Sequence, residues 1–229
     1  RAYIRVSLGN HEEDFAKEIV FLIKKIFGLD AKIYRRTKSL KTGLEVTVSH
    51  SRLANIFENL CGKGAFNKHL PFIFQDLPPK KQKIVLNAIH KGDGTSFVAN
   101  RSKNTHKSIT TVSRILSEQL VDILLRLNLF PTLHVLKEHT DKLGTHHREA
   151  YTILWSEEAV QKYSAVYYEP DGTEYWLLPI VKLKREHYEG LVYNFTVDDD
   201  QSYVATHFAV ANCNKGGDIF TFLMEYENI

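Results

Sequence analysis

One order of elements occurs twice in this sequence, and it limits the folds the chain can adopt. "AYIRVSLG" alternates as a strand does. "HEEDFAKEIVFLIKKIFGLD" follows, with Phe15, Ile19, Val20, Leu22, Ile23, Ile26 and Phe27 on one helical face, acids leading, lysines trailing and Gly28 as the stop. "AKIYRRT" and "LEVTVSH" read as two strands around the loop "KSLKTG", and "SRLANIFENLC" as a helix capped by Ser51. The second stretch opens with the prolines of "FQDLPPKKQKIVLNAIHKGDGT", a helix running to Gly92. "SFVANRSKNTHKSITTVS" supplies two short strands around a basic tip, "RILSEQLVDILLRLNL" an amphipathic helix, and "PTLHVLKEH" and "REAYTILWS" two strands around the loop "TDKLGTHH". The pattern predicts two copies of one α+β unit, the first without its opening helix, with residues 10–27 and 113–128 as equivalent helices. Two adjacent α/β stretches without symmetry fit the same pattern.

Past residue 165 helical periodicity stops. "TEYWLLPIVKLKREHYEGLVYNFTVDDDQSYVATHFAVANC" is aromatic, β-branched and alternating, broken by acidic and glycine turns, which predicts a tail of several short strands. After Cys213, "CNKGGDIFTFLMEYENI" reads as a glycine turn opening an amphipathic helix, joined to the tail with no linker. No apolar run approaches the ~20 residues of a membrane span, so no membrane partner is expected. Cys61 and Cys213 stand far apart in unlike contexts, which points to a reducing compartment, the cytoplasm, rather than a disulfide framework. The net charge of +3 permits nucleic-acid binding without establishing it. The opening residues carry no signal-peptide pattern and no initiator Met, and the chain is expected to be a piece of something longer.

"LNAIHKGDG", residues 86–94, places Asp93 at the C-terminal end of a helix, where the macrodipole disfavours an anion. A divalent cation is one compensation. Ala88 and Gly92, four apart, would let a partner helix come close, and two such helices would bring two Asp residues together. Paired carboxylates around Mg2+ are suited to cutting a phosphodiester. A Gly-Asp-Gly turn is also a common helix stop. The stretch resembles the second motif of the LAGLIDADG (dodecapeptide-type) homing endonucleases, with Leu86, Asp93 and Gly94 matching, Ile89 conservative, and Asn87, His90 and Lys91 departing. "SLGNHEEDFAKEIVFLIKKIFG" is similar to the segment after the first such motif in intein-borne members, and the resemblance covers about residues 1–157. It implies a pseudo-symmetric fold and a first motif, with its own Asp, upstream of Arg1. It implies Mg2+ at Asp93 and the Gly92 carbonyl. It also implies strands lying on double-stranded DNA, with Arg35, Arg36, Lys38, Lys41, Arg101, Lys103 and Lys107 as phosphate or base contacts. His106, His146 and His147 lack ligand spacing and are expected at the surface or the DNA face.

Residues 191–213, "LVYNFTVDDDQSYVATHFAVANC", resemble the C-terminal splicing blocks of an intein: Val192-Tyr193-Asn194-Phe195, the acidic turn Asp198-Asp199-Asp200, Tyr203-Val204, and Asn212 before Cys213. The Asn212 amide nitrogen can attack its own main-chain carbonyl and close a succinimide, breaking the bond to residue 213, with the rate advantage of intramolecular placement. The Cys213 thiol can accept an acyl group beforehand. Inteins usually carry His just before the terminal Asn and often another in the acidic turn; here those positions hold Ala211 and Gln201, and Asn194 stands where Asp is common. His207 is the nearest histidine, and strand alternation would put positions 207 and 211 on one face. The last 17 residues resemble the end of the zinc-binding domain of a DnaG-type primase, which implies that Cys213 becomes a Zn ligand in the spliced host.

The expectation is therefore an α+β fold: LAGLIDADG-type αββαββ repeats followed by the C-terminal strands of a Hint-type splicing domain. The expected domains are 1–78 (first repeat, incomplete), 79–165 (second repeat), 166–212 (splicing segment) and 213–229 (start of the primase-like C-extein). The expected partners are target DNA and the missing N-terminal intein half with its exteins, in a protein that is a monomer when intact. Asn194, Gln201 and His207 would support splicing at Asn212 and Cys213. The alternatives are a standalone LAGLIDADG-like DNA-binding or maturase-type module with an inert tail, and a primase domain with an irregular insert.

Overall fold

The structure, a computed structural model, describes residues 2–36, 42–98, 103–158, 165–168, 172, 174–191, 193, 195, 197 and 202–211. Its strands are β1 (Ile4–Leu8), β2 (Lys32–Arg36), β3 (Gly43–Val48), β4 (Gly94–Val98), β5 (Thr105–Thr111), β6 (Thr132–Leu136), β7 (His139–Thr140), β8 (His146–His147), β9 (Ala150–Trp155), β10 (Ala165–Tyr168), β11 (Glu174–Leu177), β12 (Ser202–Ala205) and β13 (Phe208–Ala211). Its α-helices are α1 (Glu13–Phe27), α2 (Ser51–Cys61), α3 (Pro79–Asp93) and α4 (Arg114–Arg126). The chain forms two compact units, one of Arg1–Gln82, Thr110–Gln119 and Val135–Thr152, the other of Lys83–Ile109, Leu120–His134 and Ile153–Ile229.

The helices start and stop for local reasons. α1 has Glu13 and Asp14 in its first turn, Lys24 and Lys25 in its last, and ends at Gly28, whose φ of 68° is the left-handed stop expected of glycine. α3 begins on Pro79, with the Lys81 and Gln82 amides donating to the Pro78 carbonyl. Ser113 caps α4, its hydroxyl accepting from the Leu116 amide. The expected cap of α2 is corrected. His50, not Ser51, precedes the helix in extended backbone and accepts the Leu53 amide on Nδ1 at 3.1 Å, while Ser51 is the first helical residue.

The first sheet has the order β1-β3-β2, antiparallel throughout. Leu44, Val46 and Val48 of β3 are buried, and Ala16 of α1 joins Leu44 and Val46 in the core, with Val6, Leu8, Ile19, Val20 and Ala31 packed against them. The second sheet has the order β4-β5-β9-β6. In chain order β1, β2 and β3 correspond to β5, β6 and β9, so the two sheets share the order β5-β9-β6 and β1-β3-β2. α1 and α4 occupy the same place between first and second strand. Among the described residues the first copy lacks a counterpart of β4 as well as of α3, one strand more than the sequence pattern suggested.

Two pieces of structure were not read from the sequence. Phe72–Phe74 form a 3-10 turn. "TDKLGTHH" folds on itself as the hairpin β7–β8, with the Asp141 carboxylate accepting from the Leu143 and Thr145 amides at 2.9 Å and Gly144 at a φ of 81°. In the tail, β10–β11 and β12–β13 are separate two-stranded ladders. Residues 178–190 carry no regular structure, so only part of the expected strand run forms. No helix among the described residues is long and apolar enough to cross a membrane.

Candidate functional site

α3 passes into β4 without a linker: Asp93 is the last helical residue and Gly94 already pairs with Ile109 of β5. A side chain at position 94 would lie closer than 3.0 Å to the His90 carbonyl oxygen and imidazole, so only glycine fits the corner. The His90 ring fills that space. Its Nε2 is 3.2 Å from the Thr95 carbonyl, and its ring meets Trp155 edge-on at 5.6 Å. Asp93 is exposed beyond this corner. Ile84, Ala88 and Gly92, spaced by four along α3, are exposed too, and a methyl at Gly92 would meet nothing within 4 Å. The small-residue face is uncovered. A carboxylate and a main-chain carbonyl are hard oxygen donors of the kind Mg2+ takes. Among the described residues no cluster of three or more His, Cys, Asp or Glu side chains could hold a metal.

Strand register separates the two adjacent arginines. Ile33 pairs with buried Val46 and Arg35 with buried Leu44, so both point to the helix side of the first sheet. Arg35 there binds Glu13 of α1, and its hydrogen bond, with that of Lys17, holds the Glu13 carboxyl below its ordinary range. Lys32, Tyr34 and Arg36 point to the open side, where β3 carries Glu45 and Thr47 and β1 carries Arg5 and Ser7. Glu45 lies between two guanidinium groups, 2.8 Å from Arg5 Nε and 2.9 Å from Arg36 Nε. Arg5 and Lys32 were missed by the sequence reading, and the alternation around Ile33 and Val6 was the signal that could have found them.

The β4–β5 hairpin divides the same way. Ile109 is buried, which sets Lys107 on its side of the sheet; Lys107 Nζ binds Glu157 at 2.7 Å, with Lys83 3.9 Å from the same carboxylate. The Lys107 hydrogen bond is the chief reason the Glu157 carboxyl is held below its ordinary range. The open side of the hairpin carries Thr95, Phe97, His106 and Ser108, with the Phe97 and His106 rings stacked at 5.7 Å. Lys103 stands at the base of the tip with a φ of 56°. His146 and His147 are exposed, and His147 Nε2 is 3.1 Å from Asp141. Lys38, Lys41 and Arg101 lie outside the described residues, as do Asn194, Gln201, Asn212 and Cys213.

His207 is not in a strand. It forms with Thr206, at a φ of 57°, the two-residue turn between β12 and β13. The alternation that would align it with Ala211 does not apply. Its Nδ1 is 2.9 Å from the Asp122 carboxylate of α4.

No family model matches the chain. The uncharacterized protein MJ0043 of Methanocaldococcus jannaschii is 31% identical over 230 residues, 92% of this chain and 27% of that protein. The ATP-dependent DNA helicase Hel308 of Thermococcus kodakarensis is 26% identical over 216 residues, 87% of this chain and 19% of the helicase. The iron-sulfur cluster assembly SufBD family protein Rv1461 of Mycobacterium tuberculosis is 28% identical over 156 residues, 66% of this chain and 18% of that protein. The chain thus spans about a quarter or less of the length of these relatives. Among solved structures it is similar to I-DmoI in complex with DNA and Mn, with a TM-score of 0.45 and 16% identity over 67% of this chain and 73% of that one. A mesophilic variant of the homing endonuclease I-DmoI aligns with a TM-score of 0.45 and 17% identity, over 68% and 73%.

Proposed function

We propose that the chain is the C-terminal part of an intein carrying a LAGLIDADG-type homing endonuclease that cuts double-stranded DNA. The observation that carries the endonuclease reading is the end of α3: an exposed Asp93 beyond an uncovered Ile84-Ala88-Gly92 face. The intein reading is supported by its relatives. Similar segments occupy a small part of proteins with unlike names, a helicase and an iron-sulfur assembly protein, as an insert would. Residues 1–78 and 79–165 are the two repeats, 166–212 the splicing segment, and 213–229 the start of a primase-like host.

In this reading the small-residue face of α3 receives the matching helix of the first motif, which brings a second carboxylate beside Asp93. Asp93 and the Gly92 carbonyl hold Mg2+; what the ion supplies there is polarisation of the scissile phosphate. The Gly94 corner and the His90 ring fix Asp93 at the helix end. Arg36, with Arg5 and Lys32, contacts phosphates, joined by Lys103 and by Lys38, Lys41 and Arg101. Thr95, His106 and Ser108 meet base edges. Arg35 and Lys107 act as ties to Glu13 and Glu157. Asn212 closes to a succinimide and Cys213 accepts the acyl group, later serving as a Zn ligand in the host.

The test is release of a C-terminal peptide beginning at Cys213, followed by mass spectrometry, from the chain complemented with the N-terminal intein half, with and without Asn212→Ala. Release that leaves a C-terminal succinimide, and that stops in the variant, is expected. Release at an unchanged rate from Asn212→Ala would overturn the splicing role and favour a standalone DNA-binding module.

A further inference from the structure

We propose that Phe97 is a specificity-determining residue, its ring seated against the 5-methyl group of one thymine in the major groove. Phe97 takes that role only if the strands lie on duplex DNA, as in the endonuclease reading above. β4 is an edge strand of the second sheet, and with β5 it forms an antiparallel ribbon whose register sets Thr95, Phe97, His106 and Ser108 on the open side. Among the described residues of this ribbon, Phe97 is the only apolar side chain on that side. It is 44% exposed, whereas Ile109, on the opposite side, is buried. The ring is therefore no part of the core. It stacks on His106 across the ribbon, with 5.7 Å between centroids and 19° between planes. That contact holds the ring in place, so little side-chain freedom is left to lose on binding.

A two-stranded ribbon enters the major groove of undistorted B-DNA, about 12 Å wide, and is too broad for the minor groove, about 6 Å wide. The base edges in the major groove are donors and acceptors, which suit the hydroxyls of Thr95 and Ser108 and the His106 imidazole. The one apolar group among them is the thymine C5-methyl. Phe97 set against any other edge would take water from a donor or acceptor and give nothing back. Set against the methyl it removes apolar surface from water on both sides. A phosphate contact gives an apolar ring no such gain, so the backbone alone does not account for phenylalanine at this position.

The test starts with duplexes that the full chain selects from a random-sequence pool. In a selected duplex each thymine is replaced singly by 2′-deoxyuridine, which lacks only the methyl, and binding is read by fluorescence anisotropy. At one position the affinity should fall about fourfold, the worth of burying one methyl. In Phe97→Ala that position alone should lose its dependence on the methyl, and Phe97→Leu, which keeps apolar surface there, should retain most of it. The readout is a ratio within each variant, so a general weakening of the ribbon does not move it. In the unaltered chain, 5-iododeoxyuridine at the same position should crosslink to Phe97 on irradiation; if Phe97→Ala does not fold, the single replacements and this crosslink decide. Bound duplexes with no methyl-dependent position, a dependence that survives Phe97→Ala, or a crosslink at another residue or at none would each overturn the role of Phe97 while leaving DNA binding intact. A pool from which no duplex is retained would refute the DNA reading itself, and this role with it.

Discussion

Gly92 and Gly94 flank one aspartate, and the structure gives their replacement by alanine opposite signs. At Gly94 the new methyl would press on the His90 carbonyl and ring from closer than 3.0 Å. The carbonyl belongs to the last turn of α3, and the ring is held by the Thr95 carbonyl and Trp155, so neither gives way cheaply. Overpacking of this kind costs about 1–3 kcal/mol. The reduced freedom of the unfolded chain returns only about 0.4–1 kcal/mol. Gly94→Ala should therefore destabilise by roughly 1–2 kcal/mol on those two terms. At Gly92 the methyl meets open space on an exposed helix, so Gly92→Ala should stabilise by up to about 1 kcal/mol. The two variants should differ by roughly 1–3 kcal/mol, which separates their urea midpoints by up to about 1 M at ordinary slopes. Urea unfolding followed by helical circular dichroism measures this. Midpoints that move the same way would refute the geometry of the corner. The proposed endonuclease adds a contrast: Gly92→Ala should firm up this chain yet impair cutting by the intact parent, because the methyl occupies the face meant for the partner helix.

Five further outcomes are expected. The buried Gln119 side chain bonds the Leu70 amide at 2.7 Å and its carbonyl at 3.0 Å; Gln119→Ala leaves both unpaired and should cost about 2–4 kcal/mol in urea unfolding. Glu45→Gln frees Arg5 and Arg36 on the open sheet face, and should leave stability within about 1 kcal/mol while tightening DNA binding at low salt and steepening its salt dependence, read by fluorescence anisotropy. The Glu157 carboxyl is lowered in the folded state, so its tie to Lys107 stabilises fully above the ordinary glutamate range and is lost as pH falls through the folded value; Glu157→Gln should flatten the pH dependence of the unfolding midpoint in that acid window, lowering the midpoint at pH 7 and changing it little below the folded value. Ala211→His should speed C-terminal release about 10²–10⁴-fold by supplying a proton donor. His207→Ala should not slow it, since His207 lies in the turn before β13 and that strand carries the chain roughly 13 Å on to Ala211.

The helices were legible because each carries its own signals: an apolar stripe, a proline or a serine at the start, a glycine at the stop. Asp93 was legible as a helix end for the same reason. The two arginines were not separated, since "YRR" reads as one basic patch until Ile33 opposite Val46 fixes which side faces the core. Ser51 was a fair cap by type, yet the preceding His50 reaches the Leu53 amide first. His207 was misread because strand alternation was carried through a turn that two residues suffice to make. The Glu13, Glu45 and Glu157 ties could not be read at all, as they join positions up to 74 residues apart.

The tail shows where such reading stops being sufficient. An α-helix closes its hydrogen bonds within itself, so the pattern of α1 or α4 is enough to form it once one face is buried. A strand leaves every amide and carbonyl for a neighbour. Residues 178–190 have the composition of strands but no ladder, and Ile180, Val181 and Leu183 stand 85%, 93% and 77% exposed. Beside them β10–β11 and β12–β13 are isolated pairs, the smallest sheets possible and marginal by themselves. We propose that the apolar alternation belongs to a β layer whose pairing is not completed among the described residues. In the proposed intein that pairing comes from the N-terminal half. Adding that half should protect the amides of residues 178–190 from exchange while leaving those of α1 and α4 as they are.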